Sequence, residues 1–166
     1  MRCVIFTTLL AGVATTALGQ TIPTFVDATG ARLVAAAAVG ASDTADKRYG
    51  IGDLDGDGLN DVVVARRARL GGANAENPLA NTLLMNEGGV LTDRTSLYAP
   101  GLLTARNTRF ALVRDLNGDG LLDVFLADGL PGGTVTPLLL LNAGHTGPVW
   151  NGLVVAPASV FPLGLA

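Results

Sequence analysis

"GDLDGDGLNDVVV", residues Gly52 to Val64, places Asp53, Asp55, Asp57 and Asp61 within nine residues, spaces them with glycines and runs at once into valines. Carboxylates this close repel one another, so the stretch asks for a cation to hold them together. Oxygen ligands select a hard ion, and several carboxylates on a flexible loop suit Ca²⁺ better than the small, strictly octahedral Mg²⁺. Side chains at positions 1, 3 and 5 can converge as such a loop curls, and Gly56 and Gly58 let the backbone bend without a Cβ clash. The expected set is Asp53, Asp55, Asp57, the carbonyl of Leu59 at position 7, and Asp61 at position 9. Two plain Asp–Gly turns without metal remain the alternative, since turns favour both residues in their own right.

The stretch has a partner. "RDLNGDGLLDVFL" runs from Arg114 to Leu126, and Asp53 and Asp115, like Asp61 and Asp123, stand 62 residues apart. Its equivalent ligands are Asp115, Asn117, Asp119, the Leu121 carbonyl and Asp123. After each loop comes an apolar run, an Asn and a Gly-rich turn, in "LLMNEGGVLTDRT" from Leu83 and "LLLLNAGHTGPVWNG" from Leu138. Apolar runs joined by such a turn read as a hairpin. One unit is therefore a strand, an aspartate loop, a second strand, a variable connection, and a hairpin of two more strands. Four short strands per repeat is the blade of a β-propeller. "TFVDAT" from Thr24 reads as an extra outer strand, "PVWNG" from Pro148 more loosely as the last strand of the second unit, and "LVAAAAVGA" from Leu33 as a link into the first blade.

An EF-hand loop would carry Glu at position 12, where Val64 and Leu126 stand. A dockerin-like pair would bring its loops closer and follow them with helices. Both fail on the β-branched, strand-like residues after each loop.

The pattern D-x-D-x-D-G-x-x-D between two strands, repeated at about sixty residues, resembles the FG-GAP or VCBS-type repeat of integrin alpha-subunit propellers and many secreted bacterial proteins. The resemblance implies an all-β fold of about two four-stranded propeller-type blades, repeat 1 over about 46–96 and repeat 2 over about 108–155. It implies Ca²⁺ at the two loops. It also implies a binding or structural role outside the cell, with a protein or carbohydrate ligand. Some lyases and phospholipases carry such propellers, so a non-catalytic propeller fragment of a larger secreted enzyme is the alternative.

Composition agrees with a packed domain. Hydrophobic residues make up 49% of the 166, charged ones 15%, and the net charge is −3. That balance argues against disorder and against a nucleic-acid binder. The basic run Arg66, Arg67 and Arg69 reads as a solvated strand end or loop. Residues 1–19 read as a signal peptide: Arg2, then the apolar "VIFTTLLAGVATTAL", then Ala17 and Gly19 ahead of a cleavage site. Cleavage would leave 20–166 as the repeat region, with no membrane span, and would remove Cys3, the one cysteine. Such a chain has no disulfide to stabilise it, and metal is another source. The expected location is secreted, periplasmic or cell-surface.

A propeller closes with typically 4–8 blades, roughly 250 residues or more at this repeat length. The 147 residues after position 19 fall short of that, so the reading includes self-association or further blades. Catalytic groups are sparse. His145, the one histidine, sits in a turn; no Cys nucleophile follows the leader; seven of 14 acidic residues lie in the two loops. No catalytic residue is expected. Trp150 and Phe125 read as core or strand-face aromatics, with a carbohydrate platform as the sharper alternative.

Overall fold

The computed structural model describes residues 26–35, 46–67, 79–129 and 137–157. The fold is all-β. β1 (Leu33–Val34), β2 (Asp46–Gly52), β3 (Asp61–Arg67), β4 (Thr82–Glu87) and β5 (Val90–Asp93) form one sheet in the order β1-β5-β4-β3-β2. β6 (Thr108–Arg114), β7 (Asp123–Asp128), β8 (Pro137–Asn142) and β11 (Leu153–Val155) form the second, in the order β11-β8-β7-β6. β9 (His145–Thr146) and β10 (Val149–Trp150) make a separate two-stranded ribbon. Successive strands pair antiparallel through each main sheet, and neither sheet closes on itself, as in part of a propeller.

Side-chain alternation sets which face of each sheet is apolar. Gly50 pairs with Val63 and Val63 with Leu83, so all three share a face. Val113, Val124 and Leu140 line up likewise in the second sheet. These two faces meet. Val63, Ala65, Leu83 and Met85 pack against Val124, Leu126, Leu138, Leu140 and Leu153 in one core, flanked by Ala111 and Val113. Glycines make the closest approach possible. A Cβ on Gly50 would lie 2.8 Å from Val113 Cγ2, and one on Gly52 2.7 Å from Val113 Cγ1.

The blades are joined by a one-turn helix, α2 (Thr95–Tyr98), and a 3₁₀ turn over Pro100–Leu103, which bury Ala99 and Leu102. The Tyr98 ring lies 5.0 Å from that of Trp150. Trp150 is buried and its Nε1 donates to Asn142 Oδ1 at 2.8 Å, so it is a core residue and not a carbohydrate platform.

Three sequence expectations are corrected. The extra outer strand falls at β1, which pairs parallel with β5, Leu33 opposite Leu91. Of "TFVDAT", Thr24 and Phe25 lie outside the described residues; Val26 forms a bridge, Asp27 accepts the Thr29 N–H at 3.0 Å, and α1 (Thr29–Arg32) follows. In "PVWNG" the strand β10 belongs to the ribbon, and the fourth strand of the second sheet is β11. Arg66 is no solvated strand end: it is 8% exposed and donates to the Ala80 carbonyl at 2.9 Å. Around it runs a polar layer at the sheet ends opposite the aspartate loops. The Arg66 N–H donates to Asn81 Oδ1, Asn81 Nδ2 to Thr108 Oγ1, and Thr108 Oγ1 to Asp128, which also pairs with Arg106 at 2.9 Å. Residues 1–19 and Arg69 lie outside the described residues.

The glycine contact carries a test. Gly50→Ala is expected to destabilise the chain by about 1–3 kcal/mol, the usual cost of overpacking. Adding Val113→Ala should recover part of that loss, so that the double-mutant cycle in urea shows non-additivity. Additive losses would mean the strands can part without cost.

Candidate metal centre

The two loops fold alike because their aspartates bond the backbone in the same way. Asp53 accepts the N–H groups of Gly56 and Gly58 at 2.8 and 2.9 Å; Asp115 accepts those of Gly118 and Gly120 at 2.7 and 3.0 Å. Gly56, Gly58, Gly118 and Gly120 all have φ between 76° and 88°, a conformation that costs other residues a Cβ clash. Asp57 and Asp119 at position 5 accept the N–H groups of Leu59 and Leu121 at 2.7 and 2.8 Å.

Position 9 differs in kind. Asp61 and Asp123 are buried, at 1% and 0% exposure. Asp61 accepts from Leu54 N at 2.9 Å and from Asn86 N at 2.8 Å. Asp123 accepts from Leu116 N and Asn142 N, both at 2.9 Å. Each carboxylate therefore ties its loop to the third strand of its own blade. Its remaining lone pairs are still able to bind a cation, since each oxygen has two acceptor directions.

In the first loop, carboxylate oxygens of Asp53, Asp55 and Asp61 all lie within 4.8 Å of one another. Asp57 stands outside this group, and Leu59 is exposed with its N–H turned to Asp57. In the second loop, position 3 is Asn117, whose Oδ1 accepts the Asp119 N–H at 2.9 Å and whose Nδ2 donates to Asp119 Oδ2 at 2.9 Å. An amide there relieves the repulsion that the third carboxylate creates in the first loop.

Charge and burial act together on the first cluster. Burial pushes the Asp61 carboxyl up from 3.8 to about 6, against the two N–H bonds, and the charges of Asp55 and Asp57 add to the rise. Asp55 is raised as well, by burial first and then by Asp57 and Asp53. Asp115 is lowered by the N–H groups of Gly118 and Gly120. Asp61 and Asp55 thus hold a proton more tightly than a free carboxyl does, through burial first and neighbouring negative charge second.

Residues 53–126 match the family model of the FG-GAP-like repeat. The match spans both aspartate loops, β3 to β6 and most of β7. No curated protein and no solved structure is significantly similar to the chain.

Sequence reasoning missed the asparagines that frame these FG-GAP-like loops. Asn86 Nδ2 donates to the Asn60 carbonyl at 3.1 Å, and Gly89 N donates to Asn86 Oδ1 at 2.9 Å. Asn142 repeats both contacts, to Leu122 O at 3.1 Å and from Gly144 N at 3.0 Å. It adds a third, from Nδ2 to the Leu54 carbonyl of the first loop at 2.7 Å. Asn142 thereby links the first loop to the second blade. The signal was present, since each apolar run ends in Asn, but a turn explains an Asn equally well.

Two outcomes follow for metal-free protein. Asp123→Ala should cost about 2–4 kcal/mol, because the buried Asn142 N–H loses its acceptor at roughly 1–3 kcal/mol and the part-buried Leu116 N–H loses its own as well. Asp119→Ala, on the exposed turn, should change stability by no more than about 0.5 kcal/mol. Urea unfolding with chelator present separates them. The pH dependence has a definite sign. Asp61 is protonated more readily folded than unfolded, so metal-free stability should fall as pH rises from about 4 to about 6, and then level. Asp61→Asn should flatten that slope.

Proposed function

We propose that the chain is a secreted, calcium-binding repeat protein with a binding or scaffolding role. The convergence of Asp53, Asp55 and Asp61 within 4.8 Å carries this reading, on a loop whose backbone is already curled. All ligands are oxygens: Asp53, Asp55, Asp57, the Leu59 carbonyl and Asp61 in the first loop, and Asp115, Asn117, Asp119, the Leu121 carbonyl and Asp123 in the second. That donor set fits Ca²⁺ and gives no preference to Zn²⁺, which takes nitrogen and sulfur. Ca²⁺ would place positive charge beside the Asp61 and Asp55 carboxyls and favour their ionised forms.

A binding role, not catalysis, is supported by what acidic groups outside the loops do among the described residues. Glu87 pairs with Arg94, Asp128 with Arg106 and Thr108, and Asp93 accepts from Thr95. Each is a structural contact. His145 is exposed on the β9–β10 ribbon. Secretion rests on the leader-like residues 1–19, and among the described residues no helix is long and apolar enough to cross a membrane.

Calorimetric titration with Ca²⁺, Mg²⁺ and Zn²⁺ tests the metal. Ca²⁺ should bind at up to two sites in the weak extracellular range, on the order of 10⁻⁴–10⁻³ M. The first loop, with four carboxylates against three, should be the tighter when measured in the Asp119→Ala protein and compared with Asp57→Ala. Saturation at about 100-fold over Kd adds roughly 2.7 kcal/mol per site, so the melting temperature should rise by about 5–10 °C per site. A melting curve indifferent to both Ca²⁺ and chelator would overturn the reading.

A further inference from the structure

One side chain touches both aspartate loops. Asn142, at the end of β8, is buried. Its Nδ2 has two protons to give and serves a different loop with each, the Leu54 carbonyl at 2.7 Å and the Leu122 carbonyl at 3.1 Å. Leu54 stands between Asp53 and Asp55, and Leu122 directly precedes Asp123. Asn142 Oδ1 is engaged as well, by the Gly144 N–H at 3.0 Å and by Trp150 Nε1 at 2.8 Å. The amide is planar, so these bonds fix its orientation and hold the two loop carbonyls in a set relation to each other. The backbone extends the line at both ends: Leu54 N donates to Asp61, and Asn142 N donates to Asp123. The position-9 carboxylates of the two loops are thus joined through Leu54 and Asn142. A second contact lies on the other side of Asp53, where a Cβ on Gly52 would sit 2.9 Å from Leu122 Cδ1. Asn86, the counterpart in the first blade, gives its Nδ2 to the Asn60 carbonyl of its own loop.

We propose that Asn142 is a positioning residue that couples the two loops, so that Ca²⁺ at either one raises the affinity of the other. The inference rests on the reading of both loops as calcium sites. An ion in the second loop fixes Asp123 and, through the Asn142 N–H, the end of β8. The Asn142 amide then holds the Leu54 carbonyl, and with it the backbone that carries Asp53 and Asp55, two of the three carboxylates that converge in the first loop. The second ion enters a loop that the first has already ordered, which is the condition for positive cooperativity. Linkage makes the effect reciprocal: each ion changes the other's affinity by the same factor, about 5-fold or more for coupled sites. Direct repulsion between the two ions works the other way. The tips of both loops are exposed, so salt screens that repulsion, whereas the buried bonds of Asn142 are shielded from it.

Calorimetric titration of the full chain with Ca²⁺, at about 0.15 M salt where the screening length is about 8 Å, tests the coupling. Asp119→Ala and Asp57→Ala each give the association constant of the loop that remains. The overall constant for two Ca²⁺ in the wild-type chain should exceed the product of those two by about 5-fold or more. In the Asn142→Ser background, where the side chain is too short to reach the Leu54 carbonyl, that excess should vanish. Trp150 is the one tryptophan and is bonded to Asn142, so its emission follows the amide. In the Asp119→Ala protein, Ca²⁺ at the first loop should shift Trp150 emission, and Asn142→Ser should abolish the shift while the ion still binds. Two loops that bind Ca²⁺ with no excess over the product overturn the coupling and leave the calcium reading standing. Binding at one loop alone does the same. An excess or an emission shift that survives in Asn142→Ser overturns the role of Asn142. If circular dichroism shows that variant unfolded, the wild-type excess and the Trp150 shift in Asp119→Ala decide, and the lack of either overturns the proposal. A chain that binds no Ca²⁺ overturns the coupling and the calcium reading together.

Discussion

A buried carboxylate bonded to two backbone N–H groups organises each blade. Asp61 holds Leu54 and Asn86; Asp123 holds Leu116 and Asn142. Without it the aspartate loop would be held to the third strand by asparagine amide contacts alone, from Asn86 to the Asn60 carbonyl and from Asn142 to the Leu122 carbonyl. With it the loop is fastened there by the carboxylate as well, and the glycines before it are drawn into a fixed curl. Burying a charge costs several kcal/mol unless hydrogen bonds compensate. At Asp61 the compensation is incomplete, since burial and neighbouring carboxylates still raise its proton affinity.

The same residues therefore serve two ends that conflict. The backbone bonds prearrange the loop, while the crowding of Asp53, Asp55 and Asp61 strains it electrostatically. A hard cation would resolve the conflict by adding charge where the backbone adds only dipoles. The second loop resolves part of it covalently, by carrying Asn117 in place of a third converging carboxylate.

The aspartate spacing and the valines after it made the loop–strand unit legible, and the constant phase of Asp53 with Asp115 made the repeat legible. Those signals are local, and local signals survive in sequence. Less legible were features that depend on distant contacts. Arg66 looked solvated by its neighbours Arg67 and Arg69, yet Asn81 and the Ala80 carbonyl, brought in by β4, bury it. Gly50 and Gly52 carried no signal in the sequence that they seat Val113, which comes from the other blade. β1 was misplaced because a two-residue parallel strand has no periodicity to read. Asn142 was hidden by its resemblance to an ordinary turn residue, and its reach to Leu54 crosses 88 positions of chain.

The Asp61 carboxylate meets Asn86 across a separation of 25 residues, and Asp123 meets Asn142 across 19. The contact is the same although the intervening connection differs in length. The connection between the second and third strands of a blade is thus free to vary in content while its anchor points stay fixed. It is the place where foreign peptide can be grafted, or natural insertions accumulate, without disturbing the loop that the carboxylate holds.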